Sequence, residues 1–117
     1  MSAPLTVADV LDRAADILEA EGAWLGGPGI GEDELATDAD GEPIAPTSPR
    51  ACHFCLYGAL EAAAEGDRIE FDAHGVLCEF TGTPFLAEWN HREGRTQAEV
   101  VSALRSSAEA ARAGGAA

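Results

Sequence analysis

Apolar residues return every three to four positions near the start of the chain: Val7, Val10, Leu11, Ala14, Ile17 and Leu18. That spacing gathers them on one face of a helix. Thr6 stands before the run as an N-cap, Asp9 puts an acid in the first turn, and Gly22 follows as a stop. The final helix has the same grammar. Thr96-Gln97-Ala98-Glu99 is a capping box, and Val100, Val101, Leu104, Ala108 and Ala111 form the face behind it. Between them, Ser48-Pro49 supplies a cap and a first-turn proline, predicting a helix to about Glu65 that Gly66 ends. Its apolar stripe is Phe54, Cys55, Gly58, Ala59 and Ala62, with Cys52, Leu56 and Ala63 beside it. Thr83-Pro84 opens a short helix through Trp89.

The remaining segments are less regular. "GAWLGGPGIGEDE" is too rich in glycine for a regular element, although Trp24 and Leu25 are expected to fold back on the core. "ELATDADGEPIAP" centres on Asp40-Gly41, a hairpin signal that predicts two short strands or at least a tight turn. Residues 67–80 read two ways. Phe71, Asp72 and Val76 fit a hydrophobic staple and a short helix, whereas Ile69 and Phe71 alternate like a strand. Residues 113–117 are expected to form a frayed tail. The expected fold is mainly α: one domain over residues 1–117, a small four- to five-helix bundle with a short acidic β-hairpin or loop excursion.

A chain of 117 residues can bury roughly two thirds of its unfolded surface, so folding requires neither metal nor disulfide. No run approaches the roughly 18 apolar residues of a membrane helix, and the start lacks the pattern of a signal peptide. Three cysteines, an odd count, argue against a disulfide framework, and the expected setting is the reducing cytoplasm. The chain has no lysine, and its formal net charge is −14. Residues 1–48 hold eleven acids against one base, Arg13; residues 49–117 hold ten against six arginines. Such a surface repels nucleic acid and anionic membranes. It suits a partner protein with a basic surface, or is simply a solvated face.

One set of residues invites chemistry. Cys52 and Cys55 form C-x-x-C, and His74 and Cys78 follow at H-x-x-x-C spacing. These four have the atoms for tetrahedral zinc. The favoured reading is different: both cysteines fall on a capped amphipathic helix, with Cys55 a small buried hydrophobe and Cys52 half buried. Cys55→Ser is then expected to cost more than Cys52→Ser, and no cofactor is expected. A redox C-x-x-C would need a β-α-β frame around the helix start, and nothing resembling a parallel strand precedes it. "DADGE" fails the calcium-loop pattern, because aligning Gly41 to the loop glycine puts Ala36 and Thr47 at the end ligand positions. No phosphate-loop, G-x-S-x-G or H-E-x-x-H motif occurs. His53, His74, His91, Asn90 and Arg95 are scattered, with nothing in the sequence to assemble them into a catalytic group.

Several stretches together carry a family resemblance: "VLDRAADILEAEGAW", "TDADGEPI", "CLYGALEAA" and "LAEWNHREGRTQAEVVSALRSSAEAA". The sharpest are C-x-x-G-A-L, here Cys55, Gly58, Ala59 and Leu60, and W-N…R-T-x-x-E-V, here Trp89, Asn90, Arg95, Thr96, Glu99 and Val100. The pattern resembles a small uncharacterised family of actinobacterial and actinophage proteins, a domain of unknown function. The resemblance implies a helical domain and supplies no activity; Cys52, His74 and Cys78 lie outside it. Gly58 is read as permitting close helix approach, and Asn90 and Thr96 as satisfying backbone groups around a tight connection. Trp24, Trp89, Asn90 and Arg95 are the binding candidates. The expected function is a non-enzymatic cytoplasmic interaction or regulatory module with an acidic face. Its alternatives are a phage-derived acidic decoy that mimics nucleic acid against a basic host protein, a zinc-binding module, and a small enzyme built on the Trp89–Arg95 connection.

Overall fold

Two helices from opposite ends of the sequence form the base of the fold. The structure, a computed structural model describing residues 5–26 and 35–114, packs α1 (Val7–Glu19) against α5 (Gln97–Ala113). Both begin with reciprocal capping boxes. The Asp9 N–H donates to Thr6 Oγ1 at 3.1 Å and the Thr6 N–H to the Asp9 carboxylate at 3.1 Å. Thr96 and Glu99 repeat the exchange at 3.1 and 3.2 Å. These N–H donors, first those of Thr6 and Thr96, hold the Asp9 and Glu99 carboxyls below their ordinary values. Gln97, the first residue of α5, also closes the other end of α1: its Nε2 donates to the carbonyls of Leu18 at 2.6 Å and Ala20 at 2.8 Å. Arg105 reaches back to Asp12, Asp16 and Glu19, and Arg112 to Asp12 at 2.6 Å. Exposed ion pairs contribute little singly, but these link one face of α1 to two turns of α5.

The intervening elements are β1 (Ala36–Thr37), β2 (His53–Phe54), α2 (Leu56–Ala64), α3 (Ile69–Thr81) and α4 (Leu86–His91). The result is mainly α, in keeping with the expected bundle. Its core is aliphatic: Leu11, Leu18, Leu56, Leu60, Leu77, Leu86 and Leu104 are fully buried. Between them sit Ala8, Ala14, Ala15, Ala59, Ala64, Ala73 and Ala108, small side chains that let neighbouring helices approach closely.

The middle of the chain departs from the periodic reading. The predicted helix after Ser48-Pro49 begins only at Leu56. Ser48 instead caps a turn, accepting the Arg50 N–H at 3.2 Å, and residues 53–54 are extended. Phe54 is pinned from both sides. Its N–H donates to Ala23 and its carbonyl accepts from Leu25 at 2.7 and 2.8 Å, while β1 pairs antiparallel with β2, Ala36 opposite Phe54. Cys55 is extended too, at φ −79 and ψ 177, so it cannot be an interior helical residue and becomes the N-cap of α2. These partners are distant in sequence, and they outweigh the local helix signal.

The Asp40-Gly41 turn forms as expected. Asp38 Oδ1 accepts from the N–H groups of Asp40 and Glu42 at 2.9 and 3.0 Å, Asp38 N–H donates to Glu42, and Gly41 takes φ 84. Residues 69–81 are helical; the staple is not formed, because Arg68 is the N-cap and Phe71 is exposed. The short helix expected from Thr83-Pro84 starts at Leu86, with Thr83 Oγ1 accepting the Phe85 N–H at 3.1 Å. The glycine-rich stretch over 27–34 and the tail from residue 115 lie outside the described residues.

Candidate functional site

The connection from α4 to α5 joins all four binding candidates, in two pairs of opposite character. Asn90 is buried, with 1% of its surface exposed. Its Oδ1 accepts the indole Nε1–H of Trp24 at 2.7 Å, and its Nδ2 donates to the Leu25 carbonyl at 2.9 Å. A side-chain amide offers one acceptor and two donors, and here the acceptor and a donor both hold residues 24–25 onto α4. Trp24 and Asn90 therefore form an internal latch. Trp89 and Arg95 form the second pair and are half-buried: Trp89 packs against the core, and the Arg95 side chain is 12% exposed. The Arg95 guanidinium lies 3.9 Å from the centroid of the Trp89 ring, its Nε donates to the Trp89 carbonyl at 2.9 Å, and Nη1 meets Glu99 at 3.0 Å. A cation over an indole face is attracted by the ring quadrupole.

Beside this pair runs a groove between α3, α4 and α5. One part, about 380 Å³, is lined by Phe80, Trp89, Ala98, Glu99, Ser102 and Ala103. A second, about 360 Å³, is lined by Val76, Glu79, Phe80, Ala110, Ala111 and Gly114. Phe80 belongs to both and is 49% exposed. The sequence reading missed Phe80 and Val76. Their spacing of four was the available signal, usable once residues 69–81 are known to be helical.

The proposed zinc set is not brought together. Among the described residues no group of three or more His, Cys, Asp or Glu side chains is placed to hold a metal ion. Cys52 is exposed and precedes β2, and its Sγ lies 3.6 Å from His53 Nδ1. His74 and Cys78 sit a turn apart on α3, with Sγ 3.6 Å from Nδ1. His74 Nε2 instead meets the Tyr57 hydroxyl at 2.8 Å, the two rings stacked at 5.1 Å. Which of the two donates follows the tautomer of the His74 ring. Burial lowers the His74 pKa and raises those of Tyr57 and Cys78, so the neutral form of each is favoured. This is a half-buried cluster joining α2 and α3, with no activated thiolate.

Cys55 is buried, as expected, but not as a helix-stripe residue. Its Sγ accepts the Gly58 N–H at 3.4 Å, and burial raises its pKa. The premise behind the expected cost of Cys55→Ser, a buried hydroxyl without a partner, does not hold, because the hydroxyl inherits that N–H partner and serine is a strong N-cap. Cys55→Ser is expected to change stability by less than about 1 kcal/mol, whereas Cys55→Ala, which removes the cap, costs about 1 kcal/mol or more. Urea unfolding in reductant checks the order; a serine variant weaker than the alanine variant would show that sulfur volume, not capping, governs the position.

A family model described as "Family of unknown function (DUF6197)" matches residues 2–110. No curated protein and no protein of solved structure matches the chain.

Proposed function

The chain belongs to DUF6197, a family of unknown function, and we propose from its surfaces that it is a non-enzymatic protein-interaction or regulatory module with an acidic, partly aromatic face. The carrying observation is the fate of its phenylalanines. Phe54 is in the core, but Phe71, Phe80 and Phe85 are 72%, 49% and 65% exposed. Burying such a side chain is worth roughly 1.5–3 kcal/mol, and the core has been filled with leucine and alanine instead. Phe71 and Phe80 lie on opposite sides of α3, and it is Phe80, lining the groove with Trp89, that marks a surface something covers. With a net charge of −14, the complementary partner is basic. The proposal sets the module in the cytoplasm, and the resemblance of its motifs suggests an actinobacterium or its phage as the source.

A nucleic-acid mimic needs its acids free and in rows. On α1, Asp12, Asp16 and Glu19 are engaged by Arg105 and Arg112, and Asp38 is turned onto its own loop. That favours the interaction module over the decoy.

The test is retention of proteins from a lysate of the source cells on immobilised chain at two salt concentrations. A basic protein should be retained and then lost as salt rises, since exposed charges are screened over about 8 Å at 0.15 M. No shift of mixed duplex DNA is expected on a low-salt gel. An acidic partner, salt-independent retention or a shifted DNA band would each overturn the reading.

A further inference from the structure

We infer that the groove between α3, α4 and α5 is the docking site for a basic amphipathic helix of another protein; this deepens the interaction-module reading and rests on it. The two parts of the groove meet at Phe80, which lines both. Val76, Phe80 and Trp89 form the groove's walls, and Ala98, Ala103, Ala110 and Ala111 its base. Along α5 it runs from Ala98 to Gly114, roughly 24 Å at 1.5 Å per residue. That is the length of a helix of about four turns, the standard occupant of such grooves.

Charge selects the sign of the occupant. Glu79 and Glu99 line the groove. Asp72 and Glu109 are exposed and lie seven residues from Glu79 and Ser102, hence on the same faces of α3 and α5. Neither α3 nor α4 contains a lysine or arginine. The two arginines of α5, Arg105 and Arg112, are both drawn to the acids of α1. The base beside the groove, Arg95, is stacked on Trp89 and paired with Glu99. It shows how this wall receives a guanidinium: an indole face on one side and a carboxylate on the other. The acidic rim disfavours a second copy of this chain and an anionic membrane alike.

Two labelled peptides of four to five turns test the proposal against the intact protein by fluorescence anisotropy. They share one leucine face, and their opposite faces are lysine and arginine in one and glutamate in the other. The cationic peptide should bind and the acidic one should not, with affinity falling as salt rises. Phe80→Ser should weaken binding at least roughly tenfold, as expected of a central anchor. Ala110→Arg, an exposed helical position that tolerates a long side chain, should do the same without threatening the fold. Phe71→Ser, nine residues away and on the opposite side of α3, should leave binding unchanged. Equal binding of both peptides, or Phe80→Ser and Ala110→Arg variants that bind normally, would overturn the groove. So would a dimer in sedimentation that either variant abolishes, since it assigns the groove to self-association. If the wild-type chain and both variants retain the same basic protein from lysate, the interaction module stands and this site for it falls.

Discussion

Gly58→Ala is expected to destabilise the protein, although alanine is the best helix former and glycine the poorest ordinary one. Gly58 lies in α2 where the chain at Leu35 crosses it. A methyl there would overlap the Leu35 carbonyl oxygen and stand 2.7 Å from its carbon. That oxygen is held in place, since it accepts the Cys55 N–H at 3.0 Å, so neither backbone can move without breaking the start of α2. Overpacking of this kind costs about 1–3 kcal/mol and exceeds the ~1 kcal/mol that helix preference returns. Because the overlap is with backbone, we expect the upper end of that range and a net loss of up to about 2 kcal/mol. Gly75 provides the internal control. It too is within a helix, has nothing within 4 Å of its missing Cβ, and is exposed. Gly75→Ala should therefore raise stability by about 1 kcal/mol. Urea melts of the two variants should move in opposite directions; parallel shifts would mean that Leu35 yields and that Gly58 is there for another reason.

Asn90→Leu should be at least as costly. The replacement matches the amide in size but leaves the Trp24 indole N–H and the Leu25 carbonyl without their partners. A buried polar group left unpaired costs about 1–3 kcal/mol, so the pair accounts for a loss of roughly 3 kcal/mol. A double-mutant cycle identifies the cause. Trp24→Phe removes the same N–H, and in that background Asn90→Leu should cost less by about 1 kcal/mol or more. Strict additivity would mean that Asn90 acts through packing alone and that the latch contributes nothing.

The parts of the fold that could be read from sequence are those whose partners are sequence neighbours. The capping boxes of α1 and α5 join residues three apart, Thr6 with Asp9 and Thr96 with Glu99, and both helices begin where those residues place them. The Asp40-Gly41 turn closes on Asp38 and Glu42, and it too was legible. What failed depends on distant backbone. Residues 52–55 carry helical periodicity, but Ala23, Leu25, Leu35 and Thr37 take their N–H and carbonyl groups and hold them extended. The reading of Gly58 as a helix–helix contact failed for the same reason, since its close neighbour is the Leu35 backbone. At the candidate site, Trp89 and Arg95 were found because they are six residues apart and chemically distinctive. Phe80 was not, because which way it faces depends on the state of residues 69–81, where two periodicities compete.

The pairing of α1 with α5 also sets a timetable for synthesis. Gln97 closes the end of α1, and Arg105 and Arg112 tie its acidic face, yet residues 20–96 are made between the two helices. At about 5–20 residues per second, α1 waits roughly 4–15 s for its principal partner. During that interval Val10, Leu11, Ala14 and Leu18, all of which end in the core, have only α2 and α3 to pack against and lack α5. A nascent chain stalled before Gln97 should therefore be protease-sensitive through α1, and α1 should become protected only once α5 has been made.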